Sequence, residues 1–244
     1  MATDHEPIIV SLRQVAAERA AREADPALRH GVEAVKSYQR ERFRITYADL
    51  LADPRHAAAT RFFLDELYGP GDHAERDAQF ERVVPTVIKL FPHEVAHTVR
   101  AIAALHALTE SLDTAMARQI GAAPCDASRY VRAWQAVARR DERQAQLGLT
   151  LQVGEAIDRY TRKPLLRNSL RLMRGPARTA GLGSLQGFLE RGFETFREMR
   201  GARDFLATIG TRERALLDAL FDPQLKVGAL GLDRSTHAAL AQLP

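Results

Sequence analysis

Apolar residues recur every three or four positions along almost the whole chain, and β-branched alternation is nearly absent. That period is a helix's, and the dominant residues, Ala, Leu, Arg and Glu, are good helix formers. The pattern predicts amphipathic segments from about Pro7 to Ala24 and from about Pro26 to Leu51, the second broken near Arg44-Ile45-Thr46. Asp53-Pro54 reads as the N-cap and first residue of a third helix, which Gly69-Pro70-Gly71 stops at its C-cap. Asp72 with Glu75 has capping-box spacing, with Asp in place of Ser or Thr, and Pro85 starts or kinks a short helix. Pro92 opens a long helix to about Ile120, ended by Gly121. Two segments follow between Asp126 and Tyr160, with a weak point near Gly148. Pro164 starts another, ending at Gly175-Pro176, and Leu185–Arg200, Asp204–Ile209 and Thr211–Phe221 complete the set. There is no internal repeat, heptad series or low-complexity linker. The expectation is an all-α fold: a single compact multi-helix domain of roughly ten helices over residues 1–222, with a less regular, loosely docked tail at 223–244.

Composition narrows the function classes. The 244 residues suffice for a substantial core, and 45% hydrophobic with 27% charged residues is ordinary for a globular chain. No apolar run approaches the roughly 18 residues of a membrane helix, so no membrane span is expected. MATDHEPIIVSLRQ lacks the basic and apolar regions of a secretory signal. Cys125 is the only cysteine, which excludes an intrachain disulfide and suits a reducing cytoplasm. In the loop AAPCDAS it reads as a small apolar residue rather than a nucleophile, since no activating base lies nearby. The net charge of +4 comes mostly from arginine, with Lys36, Lys89, Lys163 and Lys226 the only lysines, and 31 carboxylates oppose it. Nucleic acid is therefore not the expected partner.

HEVAH, residues 93–97, has the HExxH spacing of zinc hydrolases, with His93 and His97 on one helical face. It falls in a first helical turn, and no third ligand follows: Arg100 replaces the glycine of the extended form, His106 faces the other way and Glu110 is too far along the helix. The expected apolar stripe is Val95, Val99, Ile102, Leu105, Thr109, Leu112 and Met116, roughly opposite the histidines. Glu94-x-x-His97 has di-iron spacing, but such sites need a second ExxH. No metal ligand set is assigned.

The stretch from Arg159 to Leu189 carries seven cations and no carboxylate. Arg167, Arg171 and Arg174 share a face beside Leu166, Leu170 and Met173, and Arg178 follows. These four arginines are the candidate anion-binding residues. The glycine-rich GPARTAGLGSLQG then opens a helix whose N–H groups suit a phosphate, nucleotide or acidic lipid. It has no preceding strand and no GKS or GKT. The competing expectation is internal pairing of the arginines with Glu190, Glu194 and Glu198 at i, i+4, i+8 on the next helix. Phe188, Phe193 and Phe196 with Met173 and Met199 are core candidates, or the lining of a cofactor pocket that has no nearby histidine to ligate haem.

Three stretches, RFFLDELYGPGD (61–72), MRGPARTAGLGSLQGFLERGFETFREM (173–199) and FLATIGTRERALLDALF (205–221), resemble a family of uncharacterised, all-helical proteobacterial proteins over roughly residues 36–222. The resemblance implies a helical fold and a bacterial origin, and the His93/His97 pair lies outside its pattern. The chain shows no nucleophile–base–orienter set. The expected role is a cytoplasmic helical binding or interaction protein without catalysis of its own. The alternative is an enzyme, cofactor protein or anion-binding protein using a pocket near the Arg/Gly-rich segment 159–192. The partner is an unknown protein or a small anionic ligand, self-association into a homo-oligomer is compatible with the sequence, and no cofactor is specified.

Overall fold

A computed structural model describes residues 6–66, 75, 78–80, 82–84, 93–225, 227–228 and 231–244. The expected caps and breaks at Gly69, Asp72, Pro85 and Pro92 lie outside the described residues. The first helices are α1 (Glu6–Ala24), α2 (Pro26–Thr46), α3 (Ala48–Ala52) and α4 (Ala57–Glu66). Then come α5 (His93–Ile120), α6 (Ala127–Val137), α7 (Arg140–Thr161), α8 (Pro164–Leu172), α9 (Arg174–Thr179), α10 (Gly183–Glu198) and α11 (Arg203–Leu220). The fold is all-α and forms one compact multi-helix domain. A two-residue antiparallel ladder, Val227–Gly228 with Gly231–Leu232, and two 3-10 turns follow.

Local chemistry explains most boundaries. Asp25 caps α2 by accepting from Ala27 N and Leu28 N, with Pro26 as first residue. Tyr47 separates α2 from α3, one residue past the expected break. Gly121 ends α5 in the left-handed region at φ +66°. Asp53 does not open α4 directly. Its carboxylate accepts from Arg55 N and contacts His56 Nδ1, making a separate turn before Ala57.

Three other boundaries differ from the sequence expectation. The weak point after Asp126 is Ala138, left-handed at φ +52°, and α7 runs unbroken through Gly148. Pro176 does not stop a helix but sits in the first turn of α9, where its missing N–H costs nothing. The two segments expected at 204–209 and 211–221 are one helix, α11, which runs unbroken through Gly210, packed against Leu151.

α5 is the central helix, packed against α1, α2, α6 and α7. Its core face differs from the expected stripe. Ala96, Ala101, Ala103, Ala107 and Ala117 are buried with Leu112 and Met116, whereas Val95, Val99, Ile102 and Leu105 are half-buried. Small side chains let neighbouring helices approach closely, so alanine carries the contact that larger residues do elsewhere. One core unites Val35, Met116, Tyr130, Val131 and Leu220. Leu240 and Leu243 from the tail are fully buried in it, so these terminal residues pack tightly rather than loosely. A second gathers Phe43, Tyr47, Phe196, Met199, Phe205 and Ile209. A third, smaller one holds Ile8 of α1 against Val84 and Ala103.

Candidate functional site

HEVAH occupies the exposed first turn of α5. His97 is engaged at both ring nitrogens, by Arg100 Nη2 at 2.6 Å and Gln152 Nε2 at 2.8 Å. Glu94 accepts from Lys163 Nζ at 2.8 Å, and Tyr160 donates to the Glu94 carbonyl. The hydrogen bond and positive charge of Lys163 hold the Glu94 carboxyl below its usual range. This turn joins α5 to the α7–α8 connection. Among the described residues no three His, Cys, Asp or Glu side chains converge as a metal-holding group.

The arginine segment folds as α8 and α9 against α10. Arg174 Nε donates to both Glu190 oxygens, at 2.7 and 2.8 Å. That hydrogen bond lowers the Glu190 carboxyl. Arg167 and Arg171 lie 3.6 and 3.7 Å from Glu194, which pairs more closely with Arg197 at 2.6 Å. The acidic stripe thus meets the arginine stripe through Glu190 and Glu194, and one carboxylate is spread over three guanidinium groups. Arg178 is exposed on α9. A cavity of about 220 Å³ lies between the helices, bounded by Arg167, Arg171, Arg174, Arg191, Glu190 and Glu194, with Leu170 and Phe193 also in its wall.

One N–H group at the helix start that follows the glycine-rich turn is taken up within the chain. Gln79 Oε1 accepts from Leu185 N at 2.9 Å in the first turn of α10. Arg82 Nη2 donates to the carbonyls of Ala180 and Gly181, fastening a turn in which Gly181 has φ +68°. The aromatic set does not line one pocket either. Phe196 and Met199 are in the second core, Phe188 meets Phe62 with ring centroids 5.3 Å apart, and Met173 faces outward.

The outer side of α8 is the least expected feature. No residue of this helix is buried. Leu165 is 80% exposed and Leu172 78%, with exposed Asn168 and Ser169 between them. Met173 and, on α10, Leu189 add exposed apolar surface. At the Leu165 end an open cavity of about 510 Å³ is lined by Glu94, Val95, Tyr160, Arg162, Lys163 and Leu166 among others. The signal was present in the sequence: Leu165 and Leu172 stand seven apart and opposite Leu166 and Leu170.

A second group of charges lies inside the bundle. Glu110 of α5 pairs with Lys36 Nζ at 2.7 Å and with Arg22, which also donates to Thr114 Oγ1. Burial alone would raise the Glu110 carboxyl, but the charges of Lys36 and Arg22 outweigh it and hold it at about 2. Buried Asp113, one turn on, accepts from Gln39 Nε2 at 3.1 Å, and burial raises its carboxyl. Arg143 stacks over Trp134 with its guanidinium carbon 4.0 Å from the ring centroid. These groups tie α1, α2, α5 and α7 together, and they open onto neither described cavity.

Residues 18–226 match the model of a domain of unknown function (DUF8198), so the chain belongs to that family. The match takes in the last seven residues of α1, beyond the span of the three resembling stretches. No curated protein and no solved structure matched the chain. Among the described residues no helix is long and apolar enough to cross a membrane.

Proposed function

We propose that the chain is a bacterial cytoplasmic binding protein without catalysis of its own, and that α8 with its flanks is its docking face. One observation carries this reading: two leucines about four-fifths exposed on a helix with no buried residue. A folded chain with a substantial core has other places for leucine, and a cluster of exposed large apolar residues marks an interaction surface. The arginines supply the polar part of the face. Arg171, Arg174 and Arg178 are exposed beside it, and Arg167 lies at the cavity wall. Arg167 and Arg171 reach Glu194 only at 3.6 and 3.7 Å in a partly exposed setting, where solvent screens the attraction, so an anionic group of the ligand can displace Glu194 at little cost. The lone cysteine suits a reducing compartment.

A photo-crosslinking residue in place of Asn168, between the two leucines, tests the reading in cells. An adduct at that position, to protein or to lipid, without one at exposed Gln119 on α5, is the expected result. No adduct at 168, or equal adducts at both positions, would overturn it.

A further inference from the structure

We propose that the α8 face docks on an anionic lipid surface, with Leu165 and Leu172 entering the interface and the flanking arginines contacting lipid phosphates. This rests on the docking reading above and names the occupant.

Shape and charge select that occupant. α8 stands as a ridge, since none of its residues is buried. A partner helix seeks a groove for its apolar face, whereas a bilayer accepts a ridge. Leu165 and Leu172 lie two turns apart on the same side, about 10 Å along the axis, so both reach a plane together. Asn168 and Ser169 between them are small and uncharged. Arg171 flanks this side at 51% side-chain exposure and Arg174 at 56%. Arg178 is exposed on α9 beyond them. Long arginine stems let the guanidinium reach phosphate while the leucines sit deeper. From Arg159 to Leu189 there is no carboxylate. Glu190 and Glu194 line the cavity between α8 and α10, and Glu94 is held by Lys163. A second copy of the chain fits poorly, because it would set one arginine-flanked face against another.

Co-sedimentation of the full chain with vesicles provides the test. Phosphatidylcholine vesicles containing about one-third phosphatidylglycerol should bind the protein, and vesicles of phosphatidylcholine alone should not. Added salt should release it. Leu165→Ser with Leu172→Ser should weaken partitioning by about tenfold or more. Arg171→Gln and Arg178→Gln should each weaken it by about fivefold. Asn168→Glu with Ser169→Glu, which keeps the leucines and places two acids on the face, should abolish it. A parent protein that stays in solution with both vesicles would overturn the lipid inference, as would equal binding to both. So would leucine and acidic variants, melting like the parent, that still bind like it. A protein adduct at position 168 alongside any of those results would leave the docking face standing and assign it to a protein partner.

Discussion

Arg42 on α2 and Glu213 on α11 form an ion pair across the bundle, and Tyr47 donates its hydroxyl to the same carboxylate at 2.7 Å. The Arg42 side chain is 7% exposed, so its charge has almost no water. Removing one partner from such a pair leaves the other charge buried and uncompensated. Glu213→Ala should therefore cost about 3 kcal/mol, measured by urea unfolding. Arg42→Met combined with Glu213→Leu should recover most of it. A double variant as unstable as the single one would show that the cost is packing rather than charge.

Glu110 predicts a pH signature. Its folded pKa of about 2 lies below its unfolded value near 4.5. Its ion pairs with Lys36 and Arg22 therefore stabilise the fold above the unfolded value, and that contribution drains away as pH falls toward the folded one. Asp113 acts in the opposite sense, since acid relieves the cost of burying its charge. Comparing the parent with Glu110→Gln at each pH isolates the first effect. The parent should be the more stable at pH 7, and the gap should close on acidification. A gap independent of pH would refute the assignment.

Two glycines of α7 should respond oppositely to alanine. Nothing lies near a Cβ built on Gly148, so Gly148→Ala should stabilise by about 0.5–1 kcal/mol. A Cβ on Gly154 would sit 2.5 Å from Leu206 Cδ2. Gly154→Ala must push that leucine inside the second core and should be less stable than Gly148→Ala by about 1 kcal/mol or more. Shifts in the urea midpoint at constant slope decide between them.

Cys125 should be a poor nucleophile. Burial, with the charge of Asp126 beside it, pushes the thiol up to about 12. Only the thiolate reacts, so labelling by an aromatic disulfide near pH 8 should be slower than for a free thiol by about a hundredfold or more. Complete labelling of the native protein within seconds would contradict this.

The helical pattern was legible because it is local. The start of α2 at Pro26, the end of α5 at Gly121, the opening of α8 at Pro164 and the meeting of Arg174 with Glu190 all follow from residues near one another in sequence. The buried charges were not, because their partners lie far apart along the chain, Arg22 and Lys36 for Glu110, and Glu213 for Arg42. A trace was there: Arg42 continues the face of buried Val35 and Tyr38, where a charge needs a partner. The capping of α10 by Gln79 left no trace, since nothing local links residue 79 to a helix start more than a hundred positions away. The α5 stripe was misread because alanine is weakly apolar by composition yet decisive where helices touch.

That crowding of alanine along α5 gives the bundle a slender axle. Four helices lean on one shaft, and its narrow girth sets how close they come to one another. Thickening the shaft at Ala103 or Ala107 would act like a wedge driven into a barrel, loosening several staves at once. Trimming Val95 near its exposed end would disturb only the rim.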